Sequence, residues 1–217
     1  KYTSSAVADA VVSKAIDAAL LAPNSSNMQP WEFYWVKNPT KKALLAKACL
    51  SQPAATTAQH LVVAVSRTDT WRRNAKMMID ELSKNPKTPK SALDYYTKIV
   101  PLMYMHGPCN VIGLIKKIIF FLRGLTQPTP RGPAFKSEVA EVVTKTVALA
   151  CENLMLSVVA QGYACCPMEG FDEKLVKKLL NLNSNSHVTM VISIGEAAPD
   201  GLYGPQLRFD KKHFVFE

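Results

Sequence analysis

The stretch FKSEVAEVVTKTVALACENLMLSVVAQ, residues 135–161, is the longest helical pattern in the chain. From Val147 to Val159, apolar residues lie on nearly every side of such a helix, which is typical of a helix buried in the centre of a domain. Gly162 follows, and glycine commonly ends a helix in a left-handed conformation. The sequence therefore predicts a central helix around which the other elements pack.

The rest of the chain alternates between helical and strand-like patterns. Apolar residues recur at helical spacing over 7–22, after Thr40, over 69–104 with breaks around Asn85-Pro86 and Pro89, and over 171–182. Aromatic and β-branched runs predict strands over 32–37, 61–65 and 188–194, and alternation predicts an extended tail over 203–216. No linker divides the 217 residues. We therefore expect one α+β domain, residues 1–217, in which helices cover both faces of a sheet as a three-layer sandwich.

The charge balance of the chain is basic. There are 26 Lys and Arg against 17 Asp and Glu, a formal net charge of +9. Such an excess favours anionic partners. The basic residues are nevertheless spread along the chain, often as pairs, and no aromatic–basic motif of a known nucleic-acid module is present. We therefore expect no nucleic-acid partner.

The cysteines and histidines indicate neither a disulfide framework nor a metal site. Five cysteines lack the C-x-x-C spacing, and the four histidines are scattered. The apolar stretches fall well short of the roughly 18 residues that a membrane span needs. Unpaired cysteines are typical of a reducing compartment, so we expect a cytoplasmic protein that holds no metal.

Three segments combine polar or charged groups with turn-forming residues: APNSSNMQPW (22–31), GYACCPMEGFD (162–172) and GLYGPQLRFD (201–210). The first offers amides and hydroxyls that can face a flat heteroaromatic ring. The second places Glu169-Gly170 where a helix is about to begin, so that backbone N–H groups there are unpaired. The third carries Arg208, whose forked donors suit a phosphate. Each segment also has a plainer interpretation, as caps and turns, a connecting loop and a solvated arginine.

Taken in this order, the segments resemble motifs of the nitroreductase-like FMN-dependent oxidoreductase family. The first is similar to A-P-S-S-x-N-x-Q-P-W, the second to G-x-x-x-C-P-M-E-G-F-D, and the third to Y-G-P-R-L-R-F of one branch. Glu152-Asn-Leu-Met-Leu156 and Leu50-Ser-Gln-Pro53 also fall in the family's order. The resemblance covers the chain from about residue 7 to its last residue.

The resemblance implies an architecture and a set of cofactors. The family fold is an α+β sandwich with a central mixed, mostly antiparallel sheet. It is built as an intertwined homodimer with two FMN sites at the interface. The central helix of this chain then corresponds to the dimer helix, and the extended tail to a segment that reaches the partner subunit. FMN is the implied cofactor, NADPH or NADH the electron donor, and a small molecule the acceptor.

The resemblance also implies which residues hold FMN. One group from the first segment lies against the ring or ribityl chain: Pro23, Asn24, Ser25 and Asn27. Gln52 reaches the pyrimidine edge, and Lys145 points at the ring from the central helix. Another group lines the other face, with a backbone N–H of Glu169 or Gly170 near flavin N5: Pro167, Met168, Glu169 and Gly170. Arg208 binds the phosphate.

Two departures from the family pattern concern the phosphate. The family supplies arginines from an R-R-S-x-R segment before the first helix, whereas this chain begins at Lys1-Tyr2, where that segment would be ending. Gln206 also stands where a second basic residue is common. We expect that an N-terminal segment precedes the sequence given.

The implied mechanism is ping-pong. Hydride passes from NAD(P)H to flavin N5 and then to an electron-poor acceptor such as a nitroaromatic, quinone or enone, and no side chain has to act as a catalytic base in the first half of the cycle. A flavin-binding storage or sensor protein without reductase turnover is the alternative. Family branches with non-reductase flavin chemistry need polar lids, which this chain does not predict.

Segment 105–133 is expected to be variable and to form a lid. Its stretch VIGLIKKIIFFLRGL, residues 111–125, predicts a helix that places Phe120 and Phe121 over the flavin ring. A competing interpretation is an amphipathic helix on an anionic membrane, with Lys116, Lys117 and Arg123 at the surface. Plain core packing is the third possibility.

Overall fold

Nine α-helices and four strands follow one another in the computed structural model, which describes all residues from Lys1 to Glu217. The helices are α1 (Asp9–Leu20), α2 (Pro39–Ala48), α3 (Pro53–Thr56), α4 (Trp71–Leu82), α5 (Lys90–Asp94), α6 (Val100–Tyr104), α7 (Val111–Arg123), α8 (Lys136–Ala160) and α9 (Glu173–Leu180). The strands are β1 (Trp31–Trp35), β2 (His60–Arg67), β3 (Ala164–Met168) and β4 (Ser186–Gly195). A π-helical turn, Tyr95–Ile99, joins α5 to α6.

The four strands form one sheet in the order β1-β2-β4-β3. All three pairings are antiparallel, with Trp31 opposite Ser66 and Cys166 opposite Ser193. A register shift between Ala64 and Val65 interrupts the pairing of β2 with β4. The expected α+β class is confirmed, and within one chain the sheet has no parallel pair.

Helices cover both faces of the sheet because side chains alternate along each strand. Val62 and Ala64 point into a cluster formed with α1 and α8, whereas Leu61, Val63 and Val65 point into a second cluster formed with α2, α3 and α9. The three-layer arrangement expected from the sequence is therefore confirmed.

The central helix α8 is buried along one side only. Eight of its side chains are buried, among them Val147, Cys151 and Leu154 of the first cluster. Leu156 and Val159, however, are 58% and 59% exposed. The prediction of a helix surrounded by core was therefore wrong for a single chain. α8 is also the single helix long and apolar enough to span a membrane, although its buried stripe packs on the sheet.

Gly162 ends α8 as predicted. Its φ is +84°, in the left-handed region, and its N–H donates to the Val159 carbonyl at 2.9 Å. The N–H of Tyr163 donates to the Val158 carbonyl at 3.3 Å, which completes the helix-ending motif.

Replacing Gly162 by alanine should lower the free energy of unfolding by about 1 kcal/mol, because an L side chain in the left-handed region is strained. A Cβ there would meet nothing within 4 Å, so the backbone conformation is the only cost. Gly204→Ala is the matched control, since its Cβ also meets open space and its φ lies outside that region. Denaturant unfolding of both variants measures the difference, and equal stabilities would contradict the prediction.

Helices α4 to α7 form a separate layer of packing against the N-terminal half of α8. Its cluster joins Trp71 and Tyr104 of this layer to Val139 and Val143 of α8 and to Met28. The predicted break between helices at Pro86 and Pro89 is confirmed by the gap between α4 and α5.

Two parts of the chain differ from the prediction. The segment Ala164–Met168, expected as a connecting loop, is the edge strand β3. Pro167 is compatible with that position because an edge strand has one side without ladder hydrogen bonds. The tail, expected to be extended, contains bends and a short 3₁₀ turn, Lys211–His213, and it is exposed from Leu202 to Glu217.

Candidate cofactor site

The loop that joins α1 to β1 is held together by Asn24. The side-chain amide of Asn24 donates to the Ala22 carbonyl at 3.2 Å and to Asn27 Oδ1 at 3.3 Å. Asn24 Oδ1 accepts from the Gln29 N–H at 2.9 Å. The Asn24 side chain therefore shapes the loop from within, and the loop leaves Pro23, Ser25 and Asn27 exposed.

The same loop has a strained backbone. Ser26, Asn27 and Gln29 have φ values of 57°, 48° and 46°, although none is glycine. Such residues persist where the surroundings hold them, and they are concentrated at functional sites. Here Tyr95 and Tyr96 hold the loop: the Tyr95 hydroxyl lies 2.6 Å from Ser26 Oγ, and the Tyr96 hydroxyl donates to the Ser26 carbonyl at 3.0 Å. Sequence reasoning missed both tyrosines because they come from a distant helix.

A second group of predicted residues surrounds Gln52. Its amide nitrogen donates to the Gly170 carbonyl at 2.7 Å and to the Cys49 carbonyl at 3.1 Å. Leu50 and Ser51, directly before it, have φ values of 57° and 53°. Both N–H groups of the amide are therefore used within the chain, and its oxygen remains without a partner. An amide that pairs with flavin through both N–H and C=O would have to give up one of these bonds.

The Glu169-Gly170 loop offers free donors. Both residues are exposed, and neither backbone N–H has a hydrogen-bond partner within the chain. Helix α9 begins later than predicted, at Glu173, and its cap is Asp172, whose carboxylate accepts from the Leu175 N–H. The free N–H groups thus belong to a loop rather than to a helix N-terminus. A Cβ on Gly170 would lie 3.2 Å from the Gln52 amide nitrogen, so this position favours glycine.

Strand β3 fixes the residues that precede this loop. Pro167 is exposed on the edge strand, whereas the Met168 side chain is 3% exposed in the second core cluster. Only the backbone of Met168 is therefore available to a ligand.

One chain does not bring the two groups together. The Asn24 loop leads into β1 and the Gly170 loop follows β3, and these strands are opposite edges of the sheet. Strands lie about 4.8 Å apart, so the two edges are separated by roughly 14 Å. Lys145 is exposed on α8 and pairs with Glu141 at 3.0 Å. Arg208 is exposed in the tail, where it donates to the Leu207 carbonyl at 2.7 Å.

The predicted lid stretch forms the helix α7, Val111–Arg123, while the position of its phenylalanines relative to the flavin ring stays a prediction. Phe121 is 61% exposed, and Phe120 is half-buried. Lys116, expected at the surface in the membrane interpretation, is only 3% exposed. Its ammonium donates to the carbonyls of Leu102 at 2.9 Å and Pro133 at 3.3 Å. These hydrogen bonds offset the cost of burying a charge.

The groups near the Gln52 cleft are poor acids and bases. The cleft has a volume of 440 Å³, and its lining includes Lys1, Tyr2, Gln52 and Cys166. Burial raises the pKa of the Cys165 thiol to about 11 and also raises the pKa of the Cys166 thiol. Burial likewise raises the pKa of Tyr2 above its usual value. These three groups are protonated at neutral pH and do not supply a thiolate or phenolate nucleophile.

The donor set fits FMN. Two unpaired backbone N–H groups, the amide oxygen of Gln52 and the exposed hydroxyl of Ser25 are of the kind that pairs with a flavin ring edge and ribityl chain. Exposed Lys145 and Arg208 are cations of the kind that binds a phosphate or an anionic ring. When bound, FMN supplies the redox chemistry, and the protein supplies positioning and electrostatics.

Comparison with known proteins gives the same assignment. The family model described as "Nitroreductase family" matches residues 1–196. YdgI of Bacillus subtilis, provisionally named an NAD(P)H nitroreductase, is 26% identical over 200 residues, which cover 92% of this chain and 83% of YdgI.

Solved structures share the whole fold. The provisionally named nitroreductase ydfN of Bacillus subtilis has a TM-score of 0.79 at 19% identity, covering 100% of this chain and 92% of its own. A provisionally named nitroreductase of Exiguobacterium sibiricum, solved in complex with FMN, has a TM-score of 0.71 at 20% identity. The match covers 100% of this chain and 90% of that protein's chain. The family match, the FMN-compatible loops and the fold agree, so this chain belongs to the nitroreductase family and is an FMN-dependent NAD(P)H oxidoreductase.

Proposed function

We propose that the protein transfers hydride by a ping-pong cycle through flavin N5 to an electron-poor acceptor such as a nitroaromatic, quinone or enone. The balanced reaction consumes NAD(P)H, one proton and the acceptor, and it yields NAD(P)⁺ and the two-electron-reduced acceptor. The observation that carries the proposal is the pair of unpaired N–H groups at Glu169 and Gly170, which are braced by Gln52. A fixed donor at this loop orients the reacting edge of the flavin without supplying an acid or base.

We further propose that the cofactor residues act as two half-sites. The first is the Asn24 loop, with Pro23, Ser25 and Asn27, and the second contains Gln52 and the stretch from Pro167 to Gly170. Lys145 and Arg208 would add positive charge next to the ring and the phosphate. The roughly 14 Å between the two sheet edges supports a site completed by two subunits.

A homodimer is therefore part of the proposal. Leu156 and Val159 form an exposed apolar stripe on α8, and the tail exposes Phe209, Phe214 and Phe216. Exposed apolar surface of this kind marks a protein interface.

The five cysteines are all unpaired, which supports the expected reducing, cytoplasmic location.

The test is an anaerobic absorbance spectrum of the FMN-loaded protein, recorded before and after addition of NADPH and, separately, NADH. The flavin band should bleach with at least one nucleotide and return when a quinone or nitroaromatic is added. The faster donor would identify the preferred nucleotide. A flavin band that persists with both would contradict reductase turnover and favour the storage or sensor alternative.

A further inference from the structure

In α7 most of the large apolar side chains point outward and a lysine points inward, the reverse of a helix packed on a core. The inward side of the helix holds Gly113 and Lys116, which are buried, and Ile112, Lys117 and Phe120, which are half-buried. A Cβ on Gly113 would lie 2.6 Å from the Ala134 carbonyl oxygen, so α7 packs tightly against the backbone there. The large apolar side chains that are more than half exposed are Val111, Leu114, Ile115, Ile118, Ile119, Phe121, Leu122 and Leu125. We call these eight residues the α7 apolar face.

Neighbouring residues extend this surface. Ile99, Leu102 and Met105, which precede α7, are 45%, 51% and 38% exposed. Monomeric proteins rarely expose a continuous apolar patch of this kind unless it binds a protein or a membrane.

The part of the sequence that contains α7 is strongly basic. Residues 70–136 hold 12 of the 26 basic residues and 3 of the 17 acidic residues, so this segment carries the entire formal +9. From Tyr95 to Ser137 there are six basic residues and no acidic one. Arg123 is exposed at the C-terminal end of α7. Arg131, in the irregular segment that follows the helix, is also exposed. A partner that covers the α7 apolar face must therefore tolerate or attract positive charge.

An apolar face flanked by the exposed Arg123 and Arg131 is complementary to an anionic lipid surface. Acyl chains take up apolar side chains, and headgroups of negative charge attract the surrounding Lys and Arg. At 13 residues, α7 is about 20 Å long, too short to cross a hydrocarbon core of about 30 Å. The chain also bends by 83° between the helices of 90–104 and those of 108–123, which is incompatible with one straight span. A helix lying in the plane of the interface satisfies both observations.

The α7 apolar face lies at some distance from the exposed stripe of α8 that is proposed for the dimer. Lys117 pairs with Glu138 at 2.5 Å, which places α7 at the N-terminal end of α8. The exposed stripe of α8 begins at Leu149, eleven residues later, or about 16 Å along the helix axis. We therefore propose that α7 docks the protein on the surface of a membrane rich in anionic lipid. The proposal does not depend on the acceptor chemistry proposed above.

The test is flotation of the FMN-loaded full chain with lipid vesicles. One set contains phosphatidylcholine alone, and the other has about one-third phosphatidylserine. Binding should be at least about tenfold stronger with the anionic set, because one or two basic residues near the surface suffice for that ratio, and it should fall with added salt. Binding to neither set would overturn the proposal.

Matched variants locate the docking surface. Leu114→Ser with Ile118→Ser removes two side chains one turn apart on the α7 apolar face and should abolish most of the binding. Leu44→Ser with Leu175→Ser removes two comparably exposed leucines on the opposite layer and should leave binding unchanged. Equal binding by the two variants would overturn the assignment to α7. A sedimentation shift from dimer to monomer in the α7 variant, without vesicle binding by the wild type, would assign the face to a second copy instead.

A site-specific probe remains informative if the double variant folds poorly. Cys109 is exposed two residues before α7, whereas the other four cysteines are buried or half-buried. An environment-sensitive fluorophore attached to this thiol should shift its emission to the blue with anionic vesicles, relative to Cys109→Ser protein treated in the same way. Unchanged emission would contradict docking through α7. Bleaching by NAD(P)H in the same samples distinguishes this outcome from a failure of the proposed function.

Discussion

Replacing Lys116 by methionine should lower the free energy of unfolding by about 2–3 kcal/mol. The ammonium of this nearly buried lysine donates to the carbonyls of Leu102, Met103 and Pro133. Methionine has a similar length but no donor, so these acceptors would lose a charged partner while remaining partly shielded from water. The apolar side chain offsets part of that loss because the burial cost of the ammonium, which lowers the pKa of Lys116, disappears.

Thermal unfolding measures the effect, and a drop of about 8 °C corresponds to it in a chain of this size. Lys98→Met is the matched control. Lys98 is two-thirds exposed and pairs with Asp94 at 3.1 Å, so its loss should change stability by less than about 0.5 kcal/mol. If both variants were equally stable, the three carbonyls would have to be hydrated, and Lys116 would not anchor α7.

Lys116 also shows where sequence reasoning reached its limit. Periodicity correctly predicted a helix over this segment, because apolar spacing depends on local sequence alone. The usual assignment of charged residues to the outside was wrong, because the lysine meets carbonyls from α6 and from the turn at Pro133. Those acceptors become available only when distant parts of the chain are brought together, and nothing in the stretch around Lys116 signals them.

The sheet was predicted with one omission. Strands β1, β2 and β4 are rich in β-branched or aromatic residues, and each was predicted within two residues of its observed ends. β3 contains Pro167 and two adjacent cysteines, which indicated a loop. Its pairing is fixed by tertiary contact, since Tyr2 and Cys166 both bond to Ser193 on the neighbouring strand. An edge strand can carry such a sequence because one of its sides has no ladder to satisfy.

The candidate site, too, was predicted only in part. The motifs named both Gln52 and Gly170 but did not predict that the Gln52 amide bonds to the Gly170 carbonyl, 118 positions further along the chain. They did not predict that Asn24 is occupied in bracing its own loop, nor that Tyr95 and Tyr96 hold Ser26. A single chain also leaves the two half-sites on opposite sheet edges. That separation follows from topology, which local motifs do not encode.

Gln52→Leu should weaken FMN binding by about 10- to 30-fold. The amide of Gln52 ties the Gly170 carbonyl at 2.7 Å to the turn at Cys49, and it is the only side chain that fixes this loop through a hydrogen bond to Gly170. Leucine removes both bonds, each worth about 1 kcal/mol, and also the free amide oxygen. Titration of the apoprotein with FMN, followed by flavin fluorescence, measures the dissociation constant. Gln59→Leu is the control, because the Gln59 amide makes one long contact of 3.4 Å to Thr3.

A double-mutant cycle with Gly170→Ala separates positioning from simple stability. The new Cβ would lie 3.2 Å from the Gln52 amide nitrogen and would push the loop away from it, so FMN affinity should fall several-fold. If Gln52 acts by holding Gly170, the two losses should not add, because both variants disrupt one contact. Additive losses would mean that Gln52 meets the flavin independently of the loop. An unchanged FMN affinity in Gln52→Leu, together with an unchanged thermal midpoint of the apoprotein, would exclude Gln52 from the site.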